Sequence, residues 1–160
     1  MNAVNILRNG HKTVLEAVEG LAPAHWQTPG AGGQWTVKDL IAHLTSFEWM
    51  LVELLDDLLH EGTPTPLLAR FRQDPAAFND AEAAKRRDDS AAEVMAEYKN
   101  AHEEALALAE RIPAAVWNQQ GIFPWYGDAY DLEDFIVYTI YGHKREHCAQ
   151  IAAFRHRREE

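Results

Sequence analysis

The chain has 160 residues, 47% of them apolar and 25% charged, and its 15 Lys plus Arg against 25 Asp plus Glu leave a formal charge of −10. At this size a chain buries roughly 70% of its unfolded surface and needs no disulfide or structural metal to fold, so a single domain over residues 1–160 is expected. The acidic balance excludes broad nucleic-acid binding, which requires a basic stripe to displace counterions.

Apolar residues recur at three- and four-residue steps along nearly the whole chain, and no segment alternates as a strand would, so the class is all-α. Val4, Leu7, His11, Val14, Leu15, Val18 and Leu21 mark a first helix over about 2–21, which Pro23 ends. The loop 28–34 carries Gly30, Gly32 and Gly33; it follows no strand and lacks the Lys and Ser/Thr of a phosphate loop, so an ordinary flexible loop is expected. Thr36 with Asp39 forms a capping-box pattern that opens a second helix over 37–60, closed by Gly62, Pro64 and Pro66.

The segment 67–89 reads as a crossover with one short helix from Asp74 and Pro75 through Phe78 to Ala84. Ser90 with Glu93 caps a third long helix over 91–112, stopped by Pro113. An irregular aromatic stretch with Trp117, Phe123, Trp125, Tyr126 and Tyr130 follows, read as a packed plug before a binding wall. Asp131 with Asp134 then caps a last helix over 132–155, where Arg155, Arg157 and Arg158 suit the negative end. Four long helices with one long connection between the second and third describe a four-helix bundle whose facing side chains build any site in the core.

Cys148 is the only cysteine, which excludes an intrachain disulfide, a Cys-x-x-Cys zinc site and a cysteine-ligated cluster, and fits a reducing compartment. No apolar leader follows Met1 and no run of 18 uncharged apolar residues occurs, so a cytoplasmic protein without a membrane partner is expected.

The chemistry-bearing segment is His143-Lys144-Arg145-Glu146-His147. Two histidines four apart stand about 40° from each other on a helix, so both imidazoles reach one ion. Ile136, Thr139, Ile140, Gln150 and Phe154 share their direction at about 100° per residue, which turns the pair toward the core. His43, on the second helix near Leu40, Phe47, Met50 and Leu54, is the natural third ligand. Three neutral imidazoles suit Zn(II), Ni(II) or Fe(II) and keep a position open for water or substrate. Spacing alone also fits three histidines separately hydrogen-bonded in the core. A ferritin-like di-iron site needs Glu-x-x-His pairs and a zincin needs His-Glu-x-x-His, and neither motif is present.

The runs Gln34-Trp35-Thr36-Val37-Lys38-Asp39-Leu40-Ile41-Ala42-His43-Leu44, Phe78-Asn79 with Arg86 and Arg87, and Tyr141-Gly142-His143-Lys144-Arg145-Glu146-His147-Cys148-Ala149-Gln150-Ile151 together resemble the DinB family. This superfamily of bacterial four-helix bundles includes the YfiT-like metal-dependent hydrolases and the metal-binding domain of mycothiol-dependent maleylpyruvate isomerase. The resemblance implies that His43, His143 and His147 are metal ligands and that the protein is a homodimer. It further implies a three-histidine mononuclear site that activates water or a low-molecular-weight thiol against a small electrophilic substrate, as in a hydrolase or a thiol S-transferase. The alternative is a non-catalytic stress-response homodimer that binds metal or another ligand.

Weaker candidates surround the triad. Gln150 is expected to touch the nucleophile or substrate, Glu146 to act as a base or stay solvated, and Asp39 to orient His43 or merely cap its helix. His11 and His102 are candidates for a fourth ligand or acid/base group, and Cys148 is read as an inert buried or boundary residue.

Overall fold

The computed structural model describes residues 2–159. Helix α1 spans Ala3–Val18, three residues shorter at its end than the apolar pattern suggests, because Gly20 takes a left-handed φ of 69° and the chain turns there. The Thr36/Asp39 capping box forms as expected and opens α2, Val37–Leu59. The crossover is richer than one short helix: α3, Pro66–Gln73, and α4, Pro75–Lys85, both begin on a proline. Pro66 therefore starts a helix and does not merely close the preceding one, since a first-turn proline loses no hydrogen bond there.

Ser90 and Glu93 cap α5, Ala91–Arg111, and the aromatic stretch holds one short helix, α6, Ala114–Trp117. The last helix is continuous but not regular: α7, Leu132–Phe135, passes through a π turn over Ile136–Tyr141 into α8, Gly142–Glu159. It outruns the expected end at Arg155, and no breaker residue stands in its way. Helices α1, α2, α5 and the α7–α8 rod form the bundle, with α2 against α5 and α1 against α8. No strand occurs among the described residues; one isolated bridge pairs Gly32 with Trp35.

The core is divided along the bundle axis. One apolar half gathers Leu7, Leu51, Leu55, Ala105, Phe135 and Ile140; the other gathers Val14, Ile41, Leu44, Val94, Tyr98 and Ile151. On each of these helices the break between the halves falls at polar or small residues: Gly10 and His11 on α1, Thr45 and Ser46 on α2 with Glu48 just beyond them, His102 on α5 and Lys144 on α8.

The crossover is pinned over this bundle by polar contacts. Lys38 Nζ donates to the carbonyls of Arg87 and Asp89 at 2.7 and 2.8 Å, and Glu53 accepts the free N–H groups of Leu67 and Leu68 at the start of α3. Buried Arg86 bonds Glu82 and Glu97, which also accepts from Trp49. Phe78, 2% exposed, then packs edge-on against Phe47 and Phe71. Phe78→Ala should lower the unfolding free energy by about 3–5 kcal/mol. Urea denaturation tests this, and a loss below about 1 kcal/mol would mean that α4 is not anchored by that ring.

Candidate metal centre

His43 lies two turns into α2 and is 4% exposed, while His143 and His147 stand one turn apart on α8 with their rings half-buried. Their Nε2 atoms converge: His143 Nε2 is 2.8 Å from that of His43 and 2.8 Å from that of His147. Among the described residues this is the one group of three His, Cys, Asp or Glu ligand atoms close enough to hold an ion together. Phe47 packs on both His43 and His143, with ring centroids 4.9 and 4.5 Å away, and Trp35 tilts against His43 at 5.1 Å.

The donor chemistry of this cluster fits a cation. Burial first, then the neighbouring imidazoles, pushes the pKa of His43 down to about 3. Burial, His147 and Lys144 push that of His143 down to about 4. Both rings are therefore neutral at pH 7, the form in which histidine binds metal. His147 Nδ1 donates to Gln150 Oε1 at 2.7 Å, which leaves its Nε2 with a lone pair. A single His143 Nε2 facing two such nitrogens can satisfy at most one as a donor, whereas a shared divalent ion satisfies all three.

Gln150 thus acts through His147, a role the sequence does not specify. It is held from the other side by the 31–35 turn, where a Cβ on Gly32 would come within 2.9 Å of Leu40 and 3.1 Å of the Gln150 amide oxygen. Gly32 is there for close approach, so the glycine loop is a tight support beneath the site and not a loose connection. Asp39 caps α2, accepting the Thr36 N–H at 2.9 Å, and does not orient His43, whose Nδ1 is buried without a hydrogen-bond partner. Glu146 is exposed on α8 and contributes no ligand atom to the triad.

The sequence of residues 6–151 matches the DinB superfamily. The chain belongs to that superfamily. No curated protein and no solved structure matches it. Among the described residues of this DinB chain, no helix is long and apolar enough to cross a membrane.

Other singled-out residues fall elsewhere in the bundle. Cys148 is buried, and burial, partly offset by Lys144, pushes its thiol up to about 11, which makes it a poor nucleophile. Trp125 and Tyr126 close over Phe135, and Phe123 stacks on Trp125 with centroids 5.5 Å apart, so these aromatics form a plug; Tyr130 alone is largely exposed. His11 and His102 join no ligand group with the triad: they stack on each other, centroids 3.9 Å apart and planes within 3°. Beside them lies a residue pair that pattern reading missed, Glu48 with Lys144, each at most 2% exposed and ion-paired. The available signal was the lone Glu48 inside the apolar stripe Leu44, Leu51, Leu55 of α2.

His11 gives a pH prediction. Burial first, then His102 and Lys144, lowers its pKa to about 4 in the folded chain, against about 6.5 unfolded. Between those values the unfolded state binds more protons, so stability falls as pH drops through this window. His11→Phe, which keeps the stack on His102, should flatten the pH dependence of the urea midpoint between pH 6.5 and 4.5 by about one proton. An unchanged slope would remove His11 as a source of acid lability.

Proposed function

We propose that this DinB chain is a metal-dependent enzyme acting on a small electrophilic molecule, with one divalent Ni, Zn or Fe ion held by Nε2 of His43, His143 and His147. The observation that carries the reading is the 2.8 Å convergence of imidazole nitrogens from two helices, with the His43 and His143 rings kept neutral by burial first and then by neighbouring groups. When bound, the ion supplies Lewis acidity that lowers the pKa of a water or a low-molecular-weight thiol and polarises the bond under attack.

The protein's own side chains prepare that chemistry. Gln150 fixes the His147 ring through Nδ1, and Phe47 covers His43 and His143 on their apolar side. A hollow of about 210 Å³ lies against Trp35, which packs on His43; its other lining residues are Asp39, Asp80, Ala83 and Arg87. Two carboxylates against one guanidinium disfavour the acidic end of a cysteinyl thiol, and the ammonium of Lys38, next to Asp39 in the chain, is already engaged by the Arg87 and Asp89 carbonyls. This balance favours water over thiol as the nucleophile.

Metal-loaded protein incubated with an activated ester, with and without added thiol, should turn over in both conditions. Turnover only with thiol would reverse the choice of nucleophile, and none in either would sink the enzymatic reading. His147→Ala should abolish both turnover and the one tightly held equivalent of metal while leaving helical content unchanged; retention of that equivalent would mean that the triad is wrong. Gln150→Leu frees the His147 ring and should weaken metal binding about 10- to 100-fold. Wild-type affinity in that variant, measured by competition with a chelating dye, would remove Gln150 from the site. Chelation should lower the melting temperature only slightly, because the two apolar halves of the core supply the folding energy.

A further inference from the structure

Lys144 is 2% exposed in the middle of the bundle and touches all three other long helices. Its ammonium is ion-paired with Glu48 on α2 and lies 5.5 Å from the ring centroid of Tyr98 on α5. Its methylenes run past Gly10 on α1, where a Cβ would approach Lys144 Cδ to 3.2 Å. A glycine inside a helix costs stability relative to alanine, and at this position it makes the space that the lysine stem fills. Glu48 is in turn faced by His102, whose Nδ1 is 3.8 Å from Oε2, and His102 is backed by the stacked His11 ring. Burial alone would raise the Glu48 pKa; Lys144 and His102 together hold it well below the usual carboxylate range, so the carboxylate is ionised.

The placement of this pair relative to the triad is its significant feature. Lys144 follows His143 directly and precedes His147 by three residues, and Glu48 stands five residues after His43 on the same helix. The pair therefore joins the two helices that carry the triad, next to His143 and about one and a half turns from His43. Apolar packing attracts without direction, whereas an ion pair between one carboxylate and one ammonium fixes the rotation and axial position of α8 against α2.

We propose that Glu48 and Lys144 are positioning residues that hold His43 in register with His143 and His147, an inference that rests on the metal-site reading above. Replacing a buried ion pair by apolar residues of similar volume commonly leaves a protein as stable or more so, so stability and positioning can be separated. The double variant Glu48→Met/Lys144→Met should melt at or above the wild-type temperature and bind Zn(II) about 10- to 100-fold more weakly.

A second readout needs no metal. The ring centroids of His43 are 4.6 and 4.9 Å from those of His143 and His147, close enough for proton–proton NMR cross-peaks in the metal-free protein. These cross-peaks should be strong in the wild type and weak in the Met/Met variant. Glu48→Gln/Lys144→Gln keeps a hydrogen bond between the same positions without charge and should recover part of both signals. It also serves as the folded comparison should the Met/Met protein not fold. Wild-type cross-peaks in either folded double variant would overturn the positioning role, whatever metal does. Wild-type protein that shows the cross-peaks but takes up no Zn(II) would overturn the metal reading alone, leaving the positioning role to be decided by the variants' cross-peaks.

Discussion

The structure depends on a polar layer crossing the centre of an otherwise apolar bundle. Glu48, Lys144, His102 and His11 meet between the two apolar clusters of the core, and the triad adjoins them through His143, next to Lys144 in the chain. Charged groups in such a place cost several kcal/mol each unless paired, with about the same magnitude lost again if one partner is removed. That cost constrains the rest. Glu48 faces Lys144, a side chain at Gly10 would crowd the Lys144 stem, and α2 meets α8 where the three imidazoles converge.

The helices and their beginnings were legible because they are written locally. Thr36/Asp39, Ser90/Glu93 and Asp131/Asp134 are capping boxes whose bonds form between residues three apart, with no tertiary contact needed. The end of α1 was less legible, since the apolar steps continue to Leu21 while the backbone turns at Gly20. Helix α3 was missed because Pro66 reads equally as a stop and as a first-turn residue, and only the Glu53 carboxylate capping its N–H groups decides for the latter.

The triad could be inferred from spacing and resemblance, but the orientation of α8 could not. On a regular helix Lys144 lies roughly 120° from Leu132, well off the apolar stripe. The π turn over Ile136–Tyr141 accommodates one additional residue and rotates everything after it by roughly 100°, which brings Lys144 back into line. The most buried line is therefore Ile140, Lys144, Cys148 and Ile151, with His143 and His147 on its flank and not at its centre. A π turn leaves no local sequence signature, because its hydrogen bonds are stabilised by what the rotated side chains then touch. The apolar face expected for the histidines is thus displaced by one residue.

The charge balance of the layer explains why a lysine is tolerated next to a cluster suited to a cation. An unpaired ammonium one residue from His143 would repel a divalent ion across a low-dielectric interior, where screening by salt is weak. Glu48, held ionised by Lys144 and His102, offsets part of that charge, although Lys144 still lowers the pKa of His143 beside it. Two of the imidazoles add no charge of their own, since burial and the neighbouring rings keep His43 neutral far below pH 7, and burial, His147 and Lys144 do the same for His143. A cation at the Nε2 atoms would therefore have no proton to expel from those two rings. In the positioning role proposed for it, the same buried pair would serve two requirements of one site, setting where the three imidazoles stand and weakening the field that would oppose a cation between them.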